Sequence, residues 1–283
     1  MADHDCARAP RRVHHPSPPI TSRLAVFLVA IGLPSLLCLF PLYLIVQGLR
    51  SSRPLPRAAA ALALLWPLID SSRPSSGGAP RPWLWRWSAP FWNAYRAYFP
   101  ARALCAPPLD DEHKDEKRPC LVLAHPHGIW GCSVWSFLFW GCTGGMDPAL
   151  AAREPRTATL ALNFFAPVWR EYIMSLGLIS ASAASIASVL SRGGCVVLVP
   201  GGAAEAMLSQ PGDVYTLFLR KRRGYARLAL EHGASLVPVF SFGENELYGL
   251  RGEERERQRQ SQSQIDRVRV CVRERVKESV RVR

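Results

Sequence analysis

LVLAHPHGIW, residues Leu121 to Trp130, joins a short unbroken apolar run to two histidines that flank one proline and precede a glycine. The run has the length of a buried strand, and it reads as one over Cys120–Ala124. Working outward, the same pattern recurs: strands read at Thr157–Leu162, Cys195–Val199 and Ser235–Phe240, and helices at Ile129–Trp140, Val168–Leu176, Ile186–Ser191 and Tyr225–Glu231. Strand and helix in alternation predict an α/β domain, its sheet mixed but largely parallel and flanked by helices. In such sheets chemistry gathers on the loops leaving the C-terminal ends of strands. His125 and His127 fall on one of these.

A second such loop carries LVPGGAAEAM, Leu198 to Met207, and a third carries FGENE, Phe242 to Glu246. Gly201 and Gly202 let backbone come close to a ligand, and Glu205 has the chemistry to orient an imidazole and stabilise it once protonated. Histidine, Gly-Gly-Glu and Glu-Asn-Glu at three strand ends describe one cleft. No Gly-x-Ser-x-Gly elbow is present, which favours direct attack by a substrate hydroxyl over a covalent serine intermediate.

The N-terminal third has another character. Between Arg23 and Arg50 lie 26 residues without a charge, about 39 Å as a helix and enough to cross a bilayer core. A second run, Ala58 to Ile69, is too short to span alone, so a hairpin dipping into the membrane or a span plus an interfacial helix are the two arrangements. Arginines flank both sides, which favours the hairpin with both ends cytosolic. Ser71–Pro82 is a linker by composition, and the Trp- and Arg-rich stretch after it suits either the headgroup interface or an aromatic core helix.

A formal charge of +13 is spread over the chain without a nucleic-acid recognition motif, so nucleic acid is not an expected partner. The eight cysteines lack CxxC spacing and read as reduced thiols, with no metal expected. From Arg251 the sequence collapses into Arg, Glu, Gln, Ser and Val and is expected to carry little order, without a strand on its Val alternation alone.

The blocks YRAYFP, HPHGIWG, NFFAPVWREYIMSLGL, VLVPGGAAEAMLSQPG and RRGYARLALEHGASLVPVFSFGENELY, in this order, resemble the type-2 diacylglycerol acyltransferase family, which includes monoacylglycerol and wax-alcohol acyltransferases. The resemblance runs from about Phe27 to Leu250. It implies a relative of the glycerolipid acyltransferases in the endoplasmic reticulum membrane, also on lipid droplets, making triacylglycerol from diacylglycerol. Acyl-CoA is then a co-substrate, no cofactor is bound, membrane lipids are partners and homo-oligomers are allowed.

Carried onto this chain, the family pattern implies His127 as general base, Glu205 as its orienting partner and His125 in support. Pro126, Gly128, Gly201, Gly202, Asn163, Arg170 and Glu244 would shape the substrate cleft, and Arg223, within Arg220–Arg223, would meet coenzyme A phosphates. The sequence itself does not decide between the histidines. The implied organisation is a basic cytosolic segment (1–23), a membrane hairpin (24–69), a linker and interfacial segment (70–100), an acyltransferase domain (101–250) and a basic tail (251–283). Full-length members continue beyond FGENE, so the domain is expected to be incomplete, and the alternative functions are a monoacylglycerol or wax-alcohol acyltransferase, or a catalytically inactive truncated membrane lipid-binding protein.

Overall fold

The computed structural model describes residues 19–28, 32, 35–70, 73–78, 80–99, 118–135, 150, 153–211, 215–220, 222–247 and 268–270. Its centre is a five-stranded sheet in the order β3-β2-β4-β1-β6, built from β1 (Cys120–His125), β2 (Arg156–Thr159), β3 (Leu178–Ser180), β4 (Cys195–Leu198) and β6 (Ser235–Phe240). Every pairing in it is parallel. All six residues of β1 are buried, as a strand covered on both faces requires. The α/β fold expected from sequence is therefore the one observed.

Helices α5 (Pro167–Ser175), α6 (Ala183–Leu190), α7 (Gly202–Ala206) and α8 (Gly224–His232) connect the strands. Their ends follow local chemistry. Pro167 opens α5 where no N–H is needed, Ser182 accepts the N–H of Ser185 at the start of α6, and Gly233 closes α8 with a φ of 61°. One apolar cluster joins Leu121, Ile179, Ile186, Leu190, Val196 and Leu228 on one face of the sheet, and another joins Val122, Ala124, Val134 and Val197 on the other.

The elements depart from expectation in several places. The strand expected to reach Leu162 stops at Thr159, and Ala161–Phe164 turns into a 3-10 helix. Residues 178–180 and β5 (Tyr215–Leu217) form strands too short for a periodicity to reveal. β5 pairs antiparallel with β7 (Val268–Val270), so the tail supplies one short strand where none had been built on its Val alternation. Residues 129 and 130 of the helix expected over Ile129–Trp140 form a turn, residues 132–135 are helical, and residues 136–140 lie outside the described residues.

Of the apolar run between Arg23 and Arg50, the described residues form the end of α1 (Ile20–Phe27), a π-helical stretch at Ser35–Leu39 and α2 (Phe40–Arg50). α3 (Pro54–Ile69) packs on α2, and a Cβ on Gly48 would sit 2.8 Å from Cβ of Ala60. Among the described residues no helix is long and apolar enough to cross a membrane. α2 and α3 together form a helical hairpin. α4 (Pro82–Tyr98) buries Trp92 and Tyr95 in a core with Ala25, Phe164, Ile173 and Met174, while Trp83 and Trp87 face outward. Trp92 and Tyr95 thus meet the core-helix alternative that the sequence reading left open.

Candidate active site

β1 ends at His125, and the following residues Pro126, His127 and Gly128 turn sharply at the C-terminal edge of the sheet. The His125–Pro126 peptide is cis, and Gly128 has a φ of 61°. β4 ends nearby and leads through Pro200, Gly201 and Gly202 into α7, which carries Glu205 one turn in. β6 ends at Phe240 and leads to Glu244. The three expected loops do converge.

Glu205 is wholly buried. Its Oε1 accepts the main-chain N–H of His127 at 2.8 Å and lies 3.3 Å from Nδ1 of His125, while Oε2 accepts the N–H of Phe218 at 2.9 Å. Because both oxygens already accept N–H bonds, the ring nitrogen facing Oε1 is the donor, which fixes the proton on Nδ1 of His125 and leaves Nε2 as the basic atom. The carboxylate therefore meets the ring of His125, where the sequence reading paired it with the ring of His127. The reason is the strand geometry: His125 is the last in-register residue of β1, and His127 has already turned away. Nδ1 of His127 donates to the carbonyl of Gly128 at 2.6 Å, and its ring is only half-buried.

Glu244 is also buried, and its carboxylate accepts the N–H of Cys132 at 2.8 Å and of Ser133 at 2.9 Å. It thereby clamps the turn that follows the histidines. Gly128 packs directly on it, because a Cβ there would collide with the Glu244 side chain. A Cβ on Gly201 would likewise collide with the Glu205 carboxyl group, whereas one on Gly202 would meet nothing within 4 Å. The N–H of Gly202 donates to the carbonyl of Val199 at 3.2 Å, which commits it to the turn.

The remaining candidates lie elsewhere. Nδ2 of Asn163 donates to Oγ1 of Thr159 at 2.9 Å, fastening the end of β2. Arg170 is fully buried on α5, donating to the carbonyl of Asp70 at 2.9 Å and to its carboxylate at 3.2 Å, with Glu171 at 3.3 Å. These bonds join α3 to the α/β domain. Arg223 immediately precedes α8, makes no capping bond with its side chain and is exposed; its neighbour Arg222 lies over the ring of Phe218, 5.4 Å from its centroid. That ring belongs to the residue whose N–H Glu205 holds. Asp70, Phe218, Cys132 and Ser133 escape sequence reasoning because three of them contribute main-chain groups, which carry no side-chain signature.

A family model described as Diacylglycerol acyltransferase matches residues 57–273. The chain belongs to the diacylglycerol acyltransferase family. This family match runs past Leu250, where the resemblance in the sequence was drawn to stop. The chain is 39% identical to 2-acylglycerol O-acyltransferase 3 of Homo sapiens over 191 residues, 66% of this chain and 53% of that protein. It is 36% identical to Diacylglycerol O-acyltransferase 2-like protein 6 of Homo sapiens, covering 67% of this chain and 54% of the relative. With Diacylglycerol O-acyltransferase 2A of Umbelopsis ramanniana it shares 37% identity, over 66% of this chain and 51% of the other. The chain thus spans about half the length of the curated relatives it matches. No solved structure matches it. Among the described residues no group of three or more His, Cys, Asp or Glu could hold a metal ion.

Proposed function

We propose that the chain transfers a fatty acyl group from acyl-CoA to the hydroxyl of an acylglycerol, with diacylglycerol as acceptor and triacylglycerol as product. The observation that carries this reading is the buried pair of His125 Nδ1 and Glu205 Oε1, 3.3 Å apart at the end of β1. Nε2 of His125 takes the proton as the acceptor oxygen attacks the thioester carbonyl, and Glu205 stabilises the resulting imidazolium. The oxyanion is met by N–H groups of the turn 128–130, and collapse breaks the C–S bond, releasing coenzyme A, which takes the proton from Nε2. His127 supports the turn and is the competing base.

A lipid acceptor suits the surroundings of the pair. Trp130, Leu160, Leu162, Phe165, Met207 and Phe242 are exposed on the loops leaving β1, β2, β4 and β6, an apolar rim of the kind that marks a lipid or partner surface. Together with the exposed leucines of α2 and α3, it favours work at a membrane face, for which the endoplasmic reticulum and lipid droplets are the proposed locations.

The reading is tested in membranes from a cell lacking neutral-lipid synthesis, with labelled acyl-CoA and either diacylglycerol or monoacylglycerol. Product should form with the parent, and His125→Ala and Glu205→Gln should each lower the rate by about 100-fold or more. His127→Ala should cost about tenfold. The same 100-fold loss confined to His127→Ala would make His127 the base, and no transfer to any acceptor by correctly folded protein would sink the proposal.

A further inference from the structure

β1 and β4 lie side by side in the sheet, and each begins with a cysteine: Cys120 is the register partner of Cys195. The N–H of Cys120 donates to the carbonyl of Gly194 at 3.1 Å, which fastens the two strands at this point. Both cysteines belong to the apolar cluster that holds Val122 and Val197, two residues further along each strand, so their side chains leave the same face of the sheet. They are free thiols, 2% and 1% exposed. Paired residues of neighbouring strands stand about 4.8 Å apart, inside the range of about 4.4–6.8 Å that a disulfide requires between its Cα atoms.

The two sulfurs also act on each other. A hydrogen bond from the Cys195 thiol holds Cys120 below its ordinary pKa although burial opposes it, and the same bond, joined by burial, raises Cys195 well above its own. One proton held between two sulfurs makes the other easier to lose, and the thiolate is the reactive form. Cys195 and Gly194 form part of the wall of a cavity of about 470 Å³ that opens to solvent where the strands begin. A water-sized oxidant therefore has a route to the pair that leaves the sheet intact. His125 lies five residues along β1, about 16 Å away, so the acyl-transfer chemistry does not use these thiols.

We propose that Cys120 and Cys195 form a reversible dithiol–disulfide site, oxidised by hydrogen peroxide that enters through this cavity. A thiolate of the pair attacks one peroxide oxygen, the O–O bond breaks, and a sulfenic acid forms as the departing hydroxide takes up a proton to become water. The second sulfur then attacks the sulfenic sulfur, the S–O bond breaks and a second water leaves. Two thiols lose two electrons and one peroxide becomes two waters. Parallel pairing holds the Cβ atoms about a strand spacing apart, whereas a relaxed bridge wants about 3.8 Å. The bridge is accordingly strained, and strained bridges are the readily reduced ones. Nothing in this site rests on the proposed acyl transfer.

The test is peptide mapping of the full-length chain, purified reduced in uncharged detergent micelles, treated with hydrogen peroxide at neutral pH and alkylated with iodoacetamide before digestion. Tandem mass spectrometry should find Cys120 bridged to Cys195 in about half of the molecules or more, and millimolar glutathione should return both thiols. Cys120→Ser should lose the bridge and accumulate sulfinic acid at Cys195 about threefold over the parent, because no neighbouring thiol traps the sulfenic acid. His125→Ala should bridge as the parent does, which separates this site from the catalytic one. Absence of the bridge in the folded parent, its appearance only after unfolding in urea, a bridge from Cys195 to another cysteine, or a bridge that glutathione leaves intact each overturns the proposal. Should Cys120→Ser not fold, the mapping of the parent decides alone.

Discussion

Gly201 and Gly202 are neighbours that answer to different constraints. Gly201 has an ordinary helical φ of −64°, so alanine would suit its backbone, yet the added carbon would strike the Glu205 carboxyl group. Gly202 has open space and a φ of 57°, so alanine there meets only backbone strain. Gly202→Ala is expected to cost about 1 kcal/mol of stability and to leave acyl transfer near the parent level. Gly201→Ala should displace the carboxylate from His125 and lose most of the activity even where the protein folds. Rates and thermal melts on the two variants distinguish crowding from strain. Glu244→Gln belongs to the same scale: it turns one acceptor of two buried N–H bonds into a donor, at a cost of about 1–3 kcal/mol. The turn 128–133 should loosen, reducing activity with little change at Glu205.

Among the elements, the junction of α3 and α5 depends on Arg170. Its side chain is fully buried, and its bonds reach Asp70, 100 residues away in sequence. Removing one partner of a buried ion pair costs about 3–5 kcal/mol because the other is stranded, so Arg170→Met should lower the melting temperature sharply. Limited proteolysis should then cut between α3 and α4 in the variant before it does in the parent. The role of Arg170 was invisible in sequence because its partner lies in a segment that reads as a linker. By contrast β1, β4 and β6 were legible from their apolar runs, and the meeting of His125, Glu205 and Glu244 followed from the rule that loops at one sheet edge share a cleft. Which imidazole faces Glu205 was not legible. It is decided by where the strand ends, with His125 closing β1 and His127 two residues beyond it, and both histidines sit in the same motif.

Taken whole, the molecule places its apolar rim and buried pair at one end of the sheet and the Cys120 and Cys195 thiols at the other. Vesicle flotation should report the first end: replacing Leu160 and Leu162, 58% and 74% exposed, by serine should weaken adherence without changing the fold. Alkaline stability reports the interior. Burial on α5 pushes the Tyr172 hydroxyl up from about 10 to about 12. The native state therefore keeps this proton while the unfolded chain loses it, so stability is unaffected below pH 10 and falls as the pH rises toward 12. Tyr172→Phe should blunt that fall in melts recorded across this window.

The carboxylate of Glu205 also ties the end of β1 to Phe218 beyond β4, a span of about ninety residues closed at a single side chain. Both amides depend on the placement of this one buried carboxylate. In hydrogen exchange, the protons of His127 and Phe218 should accordingly behave as one cooperative unit, protected together and released together. The amides of Cys132 and Ser133, held by Glu244, form a second unit whose protection need not follow the first. A substitution that loosens one pair while sparing the other would reveal which of the two carboxylates the catalytic edge relies on to stay closed.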